Sequence, residues 1–171
     1  AMDLISAAGG DAQIWKTGHS HIKKRMAANG APLAGEMSGH IFIKDGFYGF
    51  DDALYVGIRV LSQMAKTGQS ITNFVDTLPP QHATPELRID CPDNQKFDAM
   101  ERLKKIVKSQ TKNKNVSFID GVRVRTDHGW WLVRASNTEA AIVARAEGKT
   151  PAALKKLLKE IEAAVVAAKI E

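Results

Sequence analysis

Three prolines fall within seven residues, at Pro79, Pro80 and Pro85. Proline lacks an amide proton and fixes φ, so no helix and no inner strand runs through such a stretch. The chain is therefore expected to fold as two pieces, residues 1–78 and residues 85–171, with 79–84 as the hinge. Charge divides at the same place. Residues 1–80 carry seven basic and seven acidic side chains, whereas residues 81–171 carry 17 basic and 12 acidic. The whole excess of +5 thus sits in the second piece. Such a bias suits a small anion, a nucleic acid or an acidic membrane surface.

Other features narrow these classes. Hydrophobic residues at 44% and charged residues at 25% are ordinary for a globular chain and argue against global disorder. No apolar run approaches the roughly 18–20 residues that span a bilayer, and the opening residues do not read as a secretory signal. No membrane association and a cytoplasmic setting are expected. The single cysteine, Cys91, excludes an intrachain disulfide and a cysteine-rich zinc site.

In the first piece, His21 to Asn29 reads as a basic helix closed by Gly30. Ala31–Gly35 and His40–Lys44 read as short extended segments around a glycine-bounded loop. Asp51 or Asp52 caps a helix running to about Thr67, where Leu54, Ile58, Leu61 and Ala65 form one stripe expected to be buried. The second piece opens with a strand, Glu86–Cys91, then a helix from Asp93 or Asn94 to about Ser109. Its apolar positions are Phe97, Met100, Leu103, Ile106 and Val107. Strands follow at Val116–Ile119 continuing through Gly121–Arg125, at Gly129–Arg134 and at Ala141–Glu147. A last helix begins with Thr150 as N-cap and Pro151 at its first position. This order predicts an α+β domain with helices on one face of a mostly antiparallel sheet.

Two loops carry chemistry. Gly35-Glu36-Met37-Ser38-Gly39-His40 places an acid, a hydroxyl and an imidazole between two glycines. An ionised Glu36 accepts, Ser38 both donates and accepts, and the pair matches neighbouring hydroxyls such as those of a sugar. His40 is able to donate to phosphate or move a proton near pH 7. The same residues also suit a tight turn with Glu36 in solvent. The second loop, Arg134-Ala135-Ser136-Asn137-Thr138, gathers a guanidinium, two hydroxyls, an amide and backbone N–H groups. That donor set suits phosphate oxygens, with Arg145 on the next strand near the same place. A polar hairpin turn is the alternative.

Other features carry less. His19, in Lys16-Thr17-Gly18-His19-Ser20-His21, suits a cleft or a surface turn equally. The five histidines show no i, i+4 pair and no acid in ligand spacing, so no metal site is expected in this chain. The basic stretch from Arg102 to Lys114 has no aromatic residue between 98 and 117 to stack a base. It reads as a solvated helix face, and no nucleic-acid partner is expected. Trp130 and Trp131 point to opposite faces of their strand, one into the core and the other toward the 134–138 loop.

Taken together, the runs KTGHSHIKKRM, AGEMSGHIF, GFDDALY and DGVRVRTDHGWWLVRASNTEAAIVARAEG resemble the α-D-phosphohexomutase family in order and spacing, over nearly the whole chain. Met37 resembles the bacterial phosphomannomutase/phosphoglucomutase branch. The family has four domains. The resemblance implies that residues 1–78 correspond to most of a mixed-sheet α/β third domain, and 85–171 to the whole fourth domain. It implies that Glu36 and Ser38 read sugar hydroxyls and that His40 and His19 lie near the reacting end. Arg134, Ser136, Asn137, Thr138 and Arg145 are similar to the residues that hold the phosphate not being transferred. After the Ser-Asn-Thr triplet the family often has Thr or Pro, whereas this chain has Glu139-Ala140.

The family's phosphoserine loop and its Asp-rich Mg²⁺ loop do not occur in this sequence. The expectation is a C-terminal fragment of a mutase that interconverts hexose 1-phosphate and hexose 6-phosphate. It would bind mannose or glucose phosphate, be inactive alone and need the missing N-terminal domains as partners. Mg²⁺ would belong to the intact enzyme and not to this chain. The alternative is a stand-alone sugar-phosphate-binding module.

Overall fold

The computed structural model describes residues 2–110 and 115–170. Its contacts divide the chain into two compact units, Ala1–Leu78 and Pro79–Glu171.

The first unit contains α1 (Met2–Ala7), α2 (His19–Asn29), β1 (Leu33–Gly35), β2 (Ile41–Ile43), α3 (Ala53–Thr67) and α4 (Ile71–Asp76). Helix α2 starts two residues earlier than the sequence suggested and closes on Gly30 in the left-handed conformation, φ 72°. Strands β1 and β2 pair antiparallel, Leu33 opposite Ile43 and Gly35 opposite Ile41. This pair is the only sheet among the described residues of the unit, where the resemblance implies a mixed one. A small core of Ile22, Met26 and Phe42 ties α2 to the strands.

Helix α3 forms where expected, with Asp52 rather than Asp51 as its N-cap; the Asp52 carboxylate accepts from the Tyr55 amide at 2.8 Å. The stripe expected to be buried is not. Leu54 is 82% exposed, Ile58 64% and Leu61 63%. Two strands of three residues each cover too little of a 15-residue helix, and only Tyr55, Val56 and Met64 are partly covered.

The second unit contains β3 (His82–Ala83), β4 (Leu87–Asp90), α5 (Asp93–Gln110), β5 (Val116–Ser117), β6 (Val122–Thr126), β7 (Gly129–Ala135), β8 (Ala141–Gly148) and α6 (Pro151–Ala167). One antiparallel sheet runs β3-β8-β7-β6-β5, with β4 also paired to β8. His82 and Ala83 pair with Gly148 and Glu147, and Thr84 exchanges hydrogen bonds with Ala146. Sheet pairing therefore reaches into the expected 79–84 hinge and leaves only 79–81 outside it.

The expected continuous strand from 116 to 125 is instead a hairpin of β5 and β6. Gly121 turns it with φ +73°, and a Cβ there would lie 2.2 Å from the Val133 carbonyl oxygen, so only glycine fits. Residues 111–114 of the basic stretch lie outside the described residues.

Helices α5 and α6 pack on each other and on one face of the sheet. The core joins Met100, Leu103, Val107, Val122, Trp131, Val133, Ile142, Leu157 and Ile161. Thr150 caps α6 by accepting from the Ala153 amide. Phe97, expected in this core, is 63% exposed, and the neighbouring Lys96 is buried in its place. The α5 frame is thus rotated toward Lys96, Ala99, Met100, Leu103 and Val107.

Candidate functional site

In the first unit, the β1–β2 connection holds the Glu36–His40 loop and the start of α2 brings up His19. The turn is closed by backbone bonds from the Glu36 amide to the His40 carbonyl and from the Gly39 amide to the Glu36 carbonyl. Gly39 has φ +93°, a conformation that side chains rarely adopt. Glu36 is oriented by the Gly18 amide, which donates to its Oε1 at 2.7 Å, while Ser38 donates weakly to Oε2 at 3.4 Å. Glu36 and Ser38 are therefore side by side.

His40 Nδ1 lies 2.6 Å from Asp51 Oδ2, and the other carboxylate oxygen accepts from the Ile41 amide at 3.1 Å. A carboxylate only accepts, so Nδ1 carries a proton, and in the neutral ring Nε2 is the nitrogen with the lone pair. The His40 hydrogen bond is the main reason that the Asp51 carboxyl is held below its ordinary value. His19 Nε2 is 3.9 Å from the same Asp51 oxygen, and the two imidazoles meet edge to face at 4.5 Å. The fold thus gathers histidines and acids that are far apart along the chain. Asp51 is the residue that sequence reasoning missed; of two adjacent aspartates one caps α3, and the second is free to face the loop.

In the second unit, the 134–138 loop joins the half-buried end of β7 to the buried start of β8. Ser136 is buried, and its hydroxyl oxygen accepts from the amides of Thr138 at 3.4 Å and Glu139 at 3.2 Å. Its role in the fold is to shape the loop, with its own proton left to donate. Asn137 and Thr138 are exposed at the tip. Arg134 donates to the Ala135 carbonyl at 3.2 Å.

Strand register places more cations on the sheet face that carries Arg134. Arg134 is opposite Val143, and Leu132 is opposite both Arg145 and Arg123. Directly opposed residues share a face, so Arg134, Arg145 and Arg123 lie on the face away from the helices. The Arg145 Nε is buried with no hydrogen-bond partner. Arg123 sits 4.8 Å over the Trp130 ring, and burial followed by the Arg125 charge holds its pKa below the usual guanidinium range. Arg123 was also missed as a cation of this face, and the alternation Val122-Arg123-Val124-Arg125 was its signal, but its guanidinium turns toward Trp130 and not toward the loop. Trp130 does not wall the loop as expected. It pairs with Arg125 and Glu147 at the opposite end of β7. Trp131 is the core residue and donates its indole N–H to Glu160 at 3.1 Å.

The acid at Glu139 is turned away from the loop. Its carboxylate pairs with Arg88, which lowers its pKa, and its carbonyl accepts from the buried Lys96 ammonium at 2.9 Å.

Comparison with known proteins covers both units. The family model described as "Phosphoglucomutase/phosphomannomutase, alpha/beta/alpha domain III" matches residues 1–82, and "Phosphoglucomutase/phosphomannomutase, C-terminal domain" matches 86–164. A phosphomannomutase/phosphoglucomutase of Pseudomonas putida is 47% identical over 154 residues, 90% of this chain and 33% of that protein. A phosphoglucomutase of Neisseria gonorrhoeae is 38% identical over 162 residues, 94% of this chain and 35% of that protein. A solved phosphoglucomutase/phosphomannomutase family protein of Burkholderia thailandensis matches 98% of this chain and 35% of its own, with a TM-score of 0.84 and 38% identity. The chain spans about a third of the length of the curated relatives it matches.

Proposed function

Because the chain belongs to the phosphoglucomutase/phosphomannomutase family, we propose that it supplies the sugar-reading and phosphate-holding parts of an enzyme that interconverts hexose 1-phosphate and hexose 6-phosphate. The observation that carries this reading is the match of both family domains over the two units that hold the polar loops. Glu36 and Ser38 take sugar hydroxyls. Arg134, Ser136, Asn137 and Thr138 hold the phosphate that is not transferred, and Arg145 adds charge from the next strand. The phosphate is a dianion of about −1.5 to −2 charge, and a guanidinium with amide and hydroxyl donors matches its oxygens.

His40, with its tautomer set by Asp51, presents Nε2 for proton movement at the reacting end, with His19 beside it. Their contribution is alignment and electrostatics, on which phosphoryl transfer mainly depends. Alignment of this kind is worth up to ~7–11 kcal/mol. Residues 79–81 are the proposed hinge.

Family resemblance implies Mg²⁺. Among the described residues, the one cluster of three potential ligands is His19, Glu36 and His40. Two imidazoles and one carboxylate do not fit a hard cation that prefers an all-oxygen octahedron. The substrate class and the single unpaired Cys91 support a cytoplasmic setting. No described helix is long and apolar enough to cross a membrane.

The test is a chimera in which this chain replaces the matching third of the Pseudomonas putida relative. Turnover of glucose 1-phosphate or mannose 1-phosphate, lost on Arg134→Ala or Glu36→Gln, supports the reading. A folded but inactive chimera, or turnover by the 171-residue chain alone, overturns it. Micromolar binding of hexose phosphate by the chain alone would favour the stand-alone module.

A further inference from the structure

We propose that His19, Glu36 and His40 form a binding site for a divalent first-row transition metal, with Zn²⁺ as the ion that best suits the donors. One donor atom from each residue lies within 4.8 Å of the other two. Tetrahedral Zn²⁺ with bonds of about 2.0–2.2 Å holds its ligands roughly 3.3–3.6 Å apart. The gap is closed by small side-chain rotations, and both imidazoles are about half exposed and able to make them.

The surroundings are already arranged for ligation. Asp51 accepts the Nδ1 proton of His40 at 2.6 Å, and is itself fixed by the Ile41 amide. A carboxylate behind an imidazole fixes the tautomer and ring orientation and raises the basicity of the remaining nitrogen, which is the usual partner of a metal-bound histidine. Gly18 fixes one oxygen of Glu36, so the carboxylate approaches in a set direction. His19 opens helix α2 and His40 ends the turn before β2, so both donors stand on backbone ordered by the Ile22, Met26 and Phe42 core. His19 also packs edge-on against Phe42, 5.1 Å between ring centres. Two imidazoles and one carboxylate with an open fourth position is a recurring Zn²⁺ donor set, and it disfavours Mg²⁺ and Ca²⁺.

The experiment uses the 171-residue chain with Zn²⁺ alone, read by isothermal titration, and with Co²⁺ alone, read by its visible absorption. One ion per chain is expected. His19→Ala and Glu36→Gln each abolish the cobalt spectrum, and Asp51→Asn weakens binding about 10–100-fold. A triple variant, His21→Ala with His82→Ala and His128→Ala, retains full binding. Circular dichroism checks folding, and the near-isosteric Glu36→Gln keeps the test decisive should a histidine variant misfold. Absence of binding, or binding unchanged in His19→Ala and Glu36→Gln, overturns the proposal. The metal would share Glu36 and His40 with the proposed mutase role, but no sugar phosphate enters this experiment, so failure to bind the ion leaves that role standing.

Discussion

His40 donates its Nδ1 proton to Asp51 across 2.6 Å, although eleven residues separate them in the chain. This bond sets which imidazole nitrogen faces the loop, and it makes the loop's chemistry depend on a residue outside it. It also has a pH signature. The Asp51 carboxyl lies below its ordinary value, chiefly through the His40 bond and against the opposing effect of desolvation. A carboxyl with a lowered folded pKa stabilises the fold above its unfolded value, about 3.9, and that stability is lost as pH falls through the lowered one. Carboxyl NMR titration should show Asp51 as a late-protonating aspartate. The His40→Ala variant should return it toward about 3.9.

Lys96 is only 5% exposed and donates to the Glu139 carbonyl from the far side of the 134–138 loop. It also pairs with Asp93 at 2.6 Å. Lys96→Ala removes the charged donor from that carbonyl, which keeps only the Ala141 amide at 2.8 Å, a loss on the order of 1.5–3 kcal/mol. Urea denaturation followed by tryptophan fluorescence should show the midpoint falling with an unchanged slope.

Arg88 neutralises Glu139 beside the proposed phosphate loop. Arg88→Ala frees a carboxylate next to an anion site, so inorganic phosphate should bind more weakly. The double variant Arg88→Ala with Glu139→Ala should recover most of that loss, because the repulsive charge is gone. Equal weakening in the single and double variants would assign Arg88 a direct contact with phosphate instead.

Apolar residues at helical spacing differ sharply in what they contribute. Leu103 is fully buried in the second unit's core, whereas Leu54 on α3 is 82% exposed. Leu103→Ala should cost about 2–5 kcal/mol. Leu54→Ser should change stability by within about 0.5 kcal/mol. Thermal unfolding of the two variants against the parent chain measures the contrast.

These contrasts show what the sequence made legible. Thr150 with Pro151, Asp52 and Gly30 carry local signals, so the ends of α6, α3 and α2 could be read closely. The β7–β8 loop was found because its polar residues interrupt two apolar strands. Periodicity alone did not say which stripes have partners, so Leu54, Ile58, Leu61 and Phe97 were placed inside. Asp51 and Arg123 were missed because their roles come from contacts across the fold. Asp51 meets His40 through the β1–β2 turn, and Arg123 reaches the row of Arg145 only through strand register. Two histidines that look scattered along the chain meet within 4.5 Å for the same reason.

The most direct measurement is amide NMR of the isotope-labelled chain during titration with glucose 1-phosphate. The account predicts that shifts concentrate at Gly35–His40 in the first unit and at Ser136–Thr138 in the second, and that Arg134→Ala removes the second group. Shifts confined to the basic face of α5, around Arg102–Lys108, with both loops silent, would contradict it.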